Sequence, residues 1–151
     1  MELQKILFSF NGRIGRGTYW VTILALVVGV QFVTTAILAF NGFEGEDMDA
    51  LKAVLASQLI WLASLWPILA VGSKRLHDRN KRGWWLLLLW FLPLALFFGG
   101  FITGWSGNTH TGSVLMFMSL PLALWSIVEL GVLPGTKGPN RFGADPAQQA
   151  A

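Results

Sequence analysis

Apolar and charged positions are segregated along this chain on a scale of about twenty residues. Residues 19–40, 53–72, 84–104 and 113–133 contain no Asp, Glu, Lys or Arg except Glu129. At about 1.5 Å per residue, each run is long enough as a helix to cross a hydrocarbon core of about 30 Å. A helix of a soluble bundle would carry a polar stripe every three to four residues. The run "YWVTILALVVGVQFVTTAILAF" (Tyr19–Phe40) has none. The pattern predicts an all-α integral membrane protein: a single four-span domain over residues 1–151, with short loops and a turn-rich tail over 134–151. Ahead of the first span, Leu3, Ile6, Leu7 and Phe10 follow helical spacing, which predicts a short amphipathic helix lying on the membrane surface. Asp47 or Asp49 is placed to cap the second span.

Charge then orients these spans. Of the eleven Lys and Arg, three precede span one (Lys5, Arg13, Arg16) and five lie between spans two and three (Lys74, Arg75, Arg79, Lys81, Arg82). Lys137 and Arg141 follow span four, and only Lys52 lies in the other two loops. The excess of cations on the cytoplasmic side of membrane proteins places both termini and the central loop in the cytoplasm. Trp84 and Trp85, like Tyr19 and Trp20, fall where an aromatic belt meets the headgroups. The first span is longer than the apolar core of a signal peptide, and no small-x-small cleavage site follows it. The chain has no cysteine, which excludes disulfides and thiolate chemistry. His77 and His110 fall on opposite sides of the membrane, so neither a metal site within one copy nor a cofactor is expected.

Three features break the hydrocarbon runs. Pro67, Pro93 and Pro121 each remove a backbone hydrogen bond, freeing the carbonyls of Ala63, Leu89 and Phe117. That is either a tolerated kink or the mark of a transport pathway. Glu129, toward the cytoplasmic end of span four, would cost roughly 2.5–3.5 kcal/mol unpaired at full depth. A buried pair with Arg13, Arg16 or Arg75 is expected in preference to a proton relay, which needs several such groups. Gln31 and Gln58 are suited to interhelical hydrogen bonding.

Three polar stretches converge on the cytoplasmic side: "FNGRIGRGTYW" (Phe10–Trp20), "KRLHDRNKRGWW" (Lys74–Trp85) and "GTKGPNRFGADP" (Gly135–Pro146). A helix continuing out of span two would put Arg75, Arg79 and Arg82 on one face and let Asp78 bridge Lys74 and Arg82. The glycines lack the spacing of a phosphate loop. In the tail, Asn140 and Asp145 are suited to local side-chain-to-backbone bonds.

The three stretches resemble the bacterial inner-membrane family known as domain of unknown function 805. That family shows an F-x-G-R-x-x-R-x-x-Y-W start, an R-L-H-D loop ending G-W-W, and a G-x-N-x-[YF]-G-x-D-P tail. The matching residues are Phe10, Gly12, Arg13, Arg16, Tyr19 and Trp20; Arg75, Leu76, His77, Asp78, Gly83, Trp84 and Trp85; and Gly138, Asn140, Phe142, Gly143, Asp145 and Pro146. After Asp78 the family has small or polar residues and a glycine, where this chain has Arg79, Asn80, Lys81 and Arg82. The resemblance implies a multi-pass bacterial inner-membrane protein and points to these residues without naming a reaction.

Three functions fit this pattern. The first is binding of membrane lipids, anionic phospholipid in particular, or of an acidic membrane partner protein, through the cationic face. The second is a transporter or channel subunit working as a homo-oligomer. The third is an enzyme on a lipid-linked substrate, with His77 as general base. Against binding stands the reading that the cations only set topology. Against catalysis stands a tethering role for His77. Nucleic acid is not an expected partner, since no recognition fold fits between the spans.

Overall fold

A computed structural model describes residues 3–41 and 47–148 of the chain. Among the described residues the regular elements are all helical, apart from a lone β-bridge between Asn140 and Gly143 in the tail. The helices are α1 (Leu3–Phe8), α2 (Arg16–Asn41), α3 (Asp47–Asp78), α4 (Leu92–Trp105) and α5 (Thr109–Ile127). A π-helical turn precedes α4 (Leu87–Phe91), and another follows α5 (Val128–Val132). Four stretches are long and apolar enough to cross a membrane: Arg16–Phe40, Met48–Asp78, Leu87–Trp105 and Thr109–Val132. The second extends beyond residues 53–72 at both ends, because Asp49 pairs with Lys52 inside its first turn at 2.7 Å and the charged end continues as helix to Asp78. The third starts after Trp84, which sits in a turn, and Trp85, which opens the helical run. The Asp47 side chain and residues 42–46 of the expected acidic loop lie outside the described residues.

The chain divides into two compact units. One comprises α1 through Phe10, α2 from Trp20, and α3 to Val71. Here Phe10, beyond the end of α1, packs edge-on against Trp66 with ring centroids 5.1 Å apart. The other unit comprises Asn11–Tyr19 and the chain from Gly72 on.

In the second unit α4 and α5 form an antiparallel hairpin through three residues. Gly107 takes φ +96° in that turn, a conformation open to glycine, and the Asn108 side chain accepts from the Thr111 N–H at 3.2 Å to cap α5. Pro93 and Pro134 each deprive the carbonyl four residues earlier of its N–H, and side chains replace both donors. The Ser126 hydroxyl lies against the Leu89 carbonyl as well as that of Leu122 in its own helix. Arg75 Nε donates to the Leu130 carbonyl at 2.7 Å.

Candidate functional site

The three polar stretches meet in the second unit, and an early helix stop sets their geometry. Asn80 adopts φ +56°, which asparagine tolerates better than most residues. The Lys81 N–H then returns to the Leu76 carbonyl at 2.8 Å and that of Asn80 to His77 at 2.9 Å, the paired bonds of a Schellman stop. The helical extension therefore ends at Asp78, and Arg82 does not share a face with Arg75 and Arg79. Tight-turn geometry holds here without the family's glycine, with Asn80 in its place.

Asp78 turns away from Lys74 and Arg82. Its Oδ1 accepts from Arg13 Nε at 3.1 Å and Nη2 at 3.0 Å, and its Oδ2 accepts from Arg75 Nη1 at 2.5 Å. All three side chains are buried, Arg75 completely. The expected i,i+4 bridges are overturned: Arg82 lies past the helix stop and is exposed, and the carboxylate is met instead by two buried guanidiniums in charge-assisted bonds. The arginines also serve main-chain carbonyls. Arg13 donates to Thr136 at 2.6 Å, to Gly138 at 2.7 Å and to Gly143 at 3.3 Å. Arg75 adds Leu133 to Leu130, so its charge caps the end of the last helix, where free carbonyls favour a cation.

Glu129 is buried and paired, with partners other than Arg13, Arg16 or Arg75. Its Oε1 takes Arg79 Nε at 3.1 Å and Lys81 Nζ at 2.8 Å. Both cations come from the Schellman turn, which lies beside the π-helical turn carrying Glu129. Arg79 also donates to the Pro134 carbonyl at 2.8 Å.

The tail is tied to the same place. Thr136 donates to the Asp78 carbonyl through its N–H at 2.8 Å and its hydroxyl at 3.0 Å. Asn140 Nδ2 donates to the His77 carbonyl and to the Thr136 hydroxyl, each at 2.9 Å. The His77 ring stacks on Phe142 at 3.9 Å and 4°, and its Nδ1 lies 3.2 Å from the Gly12 carbonyl. This arrangement gives His77 a tethering role. Asp145 accepts from the N–H groups of Ala147 at 3.0 Å and Gly138 at 2.9 Å. Those bonds, that of Ala147 first, hold its carboxyl below the usual carboxylate range. Its contribution to the turn is thus present above the ordinary carboxylate range and is lost as pH falls through the lowered value.

Trp84 is half exposed and stacks on Trp85 at 5.0 Å. Lys81 stands 4.8 Å over the Trp85 ring, a cation–π contact. Tyr19 is buried and does not stand in an exposed aromatic belt, whereas Trp20 is exposed. Three cations keep their charge outward. Arg16 is exposed, and among the described residues its one hydrogen bond is a 3.5 Å contact to the Val132 carbonyl. Lys137 and Arg82 are exposed and make no ion pair or hydrogen bond among the described residues.

Gly135 and Thr136 are central; they open the third polar stretch but are not among the residues that match the family motif. A β-carbon at Gly135 would fall inside the Asp78 carboxylate. The signal available was the run Pro134-Gly135 directly after the last span, a helix stop followed by a residue without a side chain.

A family model described as "Protein of unknown function (DUF805)" matches residues 7–144. The chain belongs to that family. Curated relatives agree along nearly the whole length. Uncharacterized protein YiiR of Escherichia coli (strain K12) is 32% identical, over 96% of this chain and 90% of the relative. Inner membrane protein YhaI of the same strain is 31% identical, over 97% and 92%. Inner membrane protein YhaH is 27% identical, over 97% and 93%. No solved structure matches the chain. With four spans and inner-membrane relatives, this DUF805 chain is a multi-pass inner-membrane protein. The motif residues Arg13, Arg75, His77, Asp78 and Asn140 hold one another and the tail in place.

Asn140→Ala should therefore loosen the tail. It removes two donated bonds and the one that Asn140 Oδ1 accepts from the Phe142 N–H at 2.8 Å, a cost of about 1–3 kcal/mol. Limited proteolysis should cut the variant after Thr136 faster than wild type, and equal cutting rates would refute the tether.

Proposed function

We propose that the chain binds an anionic lipid headgroup at its motif-bearing end, which the cation distribution orients toward the cytoplasm. The observation that carries this reading is a cavity of about 310 Å³ lined by Arg16, Lys137, Gly135, Thr136, Pro146 and Ala147. Asp78 and Asp145 also line it, Asp78 with its charge already met by Arg13 and Arg75 and Asp145 with its carboxylate accepting the Gly138 and Ala147 N–H groups. Arg16 and Lys137 are the two outward cations at this rim, so a phosphate entering it meets unspent positive charge. Arg82, which was grouped with the site on helical spacing, lies elsewhere.

A lipid fits better than an acidic protein segment because of what lies one helical turn along α2. Arg16 lines the first cavity, and Tyr19, three residues on, lines a second, apolar cavity of about 400 Å³ with Leu89, Pro93, Ala123 and Ser126. A charged rim beside an apolar slot within the spans matches an amphiphile with a phosphate head and an acyl chain.

Native mass spectrometry of gently extracted protein tests this. Wild type should retain a defined anionic phospholipid. Each cation near an anionic headgroup contributes about 1 kcal/mol, so the double variant Arg16→Ala/Lys137→Ala should bind it roughly 30-fold more weakly. Arg82→Ala should bind as wild type. The same mixed lipids on all three proteins would show that these cations only set topology.

A further inference from the structure

The outward face of α3 carries a pattern that the lipid reading leaves unused. Met48, Leu51, Leu55, Gln58, Leu62 and Leu65 recur at alternating intervals of three and four. All six are exposed, the apolar ones between 43% and 61%. This is the spacing of a helix–helix seam, in which every seventh residue returns to one edge. Exposed leucines in a membrane span need no explanation, since lipid tails solvate them. Gln58 does. It stands five residues into the charge-free run that begins at Ala53, about 7.5 Å along the helix and so inside the hydrocarbon core. Among the described residues its carboxamide makes no hydrogen bond. An amide bare to hydrocarbon at that depth is costly, because neither water nor lipid offers a partner. Gln31, the other exposed glutamine in a span, gives its amide to Thr35 of its own helix at 3.0 Å, so its donor side is met locally.

We infer that α3 is a self-association surface, on which two copies pair in parallel along this seam with their Gln58 side chains clasped. A carboxamide carries both donors and an acceptor. Two copies related by a two-fold axis along the membrane normal therefore satisfy each other with reciprocal bonds, which a lone cation or carboxylate could not do. The seam is likewise self-complementary, as an isologous interface requires. Copies inserted with one topology present α3 in parallel, so Gln58 meets Gln58 at the same depth. One polar residue among leucines at such a seam fixes register and copy number. The leucines supply packing, and Gln58 supplies the preference for its own kind.

The absence of cysteine makes the test clean. Single replacements Leu55→Cys and Leu62→Cys lie on the seam, while Ala63→Cys is exposed about 100° away around the helix. Oxidation in native membrane vesicles should give a disulfide-linked dimer at the first two positions and little at the third. Adding Gln58→Leu to Leu62→Cys should lower the dimer yield roughly tenfold, and Gln58→Asn should restore much of it. Gln58 is exposed and its side chain makes no hydrogen bond among the described residues, so neither change threatens the fold. Equal crosslinking at Ala63 and Leu62, no crosslinking on the seam, or an undiminished dimer with Gln58→Leu would each overturn the inference.

Discussion

Asp78→Ala is expected to destabilise the second unit by about 3–5 kcal/mol, the cost of leaving buried charges without their counter-ion. The effect should exceed that of Glu129→Ala. Asp78 stands between two arginines that are almost fully buried, whereas the partners of Glu129, Arg79 and Lys81, keep 23% and 28% of their side chains exposed and can rehydrate. Thermal unfolding in detergent compares the two variants, and equal melting temperatures would refute the ranking. A third variant sharpens the argument. Replacing a buried ion triad with apolar residues of similar size is often neutral or stabilising. Here Arg13→Met/Arg75→Met/Asp78→Leu should not recover wild-type stability. The two guanidiniums also satisfy the carbonyls of Thr136, Gly138, Leu130 and Leu133, and Pro134 cannot supply the N–H that Leu130 lacks. A triple variant as stable as wild type would mean that these main-chain bonds contribute nothing.

The same residues show which parts of the structure can be read from sequence. Spans are set by solvation, a property of each run by itself, so their number and approximate limits follow from charge placement. Burial of Glu129 follows too, from the cost of leaving it bare. The partners do not follow. Reading Asp78 against Arg82 assumes that the helix runs on, and one asparagine at positive φ ends it instead; Lys74 is inside the helix, but the carboxylate turns to Arg13 and Arg75. Asp78 is 65 residues from Arg13 and 58 from Thr136 in the chain, and no local spacing announces such contacts. The family motifs did mark most of the site, because Arg13, His77, Asp78 and Asn140 are bound to one another. Their chemistry suggested an outward cationic face. The fold spends Arg13, Arg75 and Arg79 internally and leaves Arg16 and Lys137 outward, a division that depends on which arginines find carbonyls and carboxylates after folding.

Gly112→Ala is expected to destabilise the hairpin by about 1–3 kcal/mol, and Gly99→Ala to shift stability by up to about 1 kcal/mol in the opposite direction. Both changes add one methyl group to a helical glycine, so helix propensity favours both equally. The difference lies in the neighbouring helix. A β-carbon at Gly112 would stand 2.7 Å from the Gly100 carbonyl oxygen and 2.7 Å from the Gly104 nitrogen, and one at Gly100 would stand 2.7 Å from the Gly112 carbonyl. These are main-chain atoms, which cannot swing aside as a side-chain tip can, so α4 and α5 must part. Within a bilayer, separation forfeits dispersion contacts that lipid replaces imperfectly. At Gly99 a β-carbon meets open space within 4 Å, and only the propensity gain remains. Unfolding of both variants in the same detergent measures the contrast. If the two alanines move stability in the same direction, the close approach of α4 and α5 is not what holds this hairpin together. If Gly112→Ala alone destabilises, Gly100→Ala added to it should cost less than its own single effect, because the first methyl has already forced the helices apart.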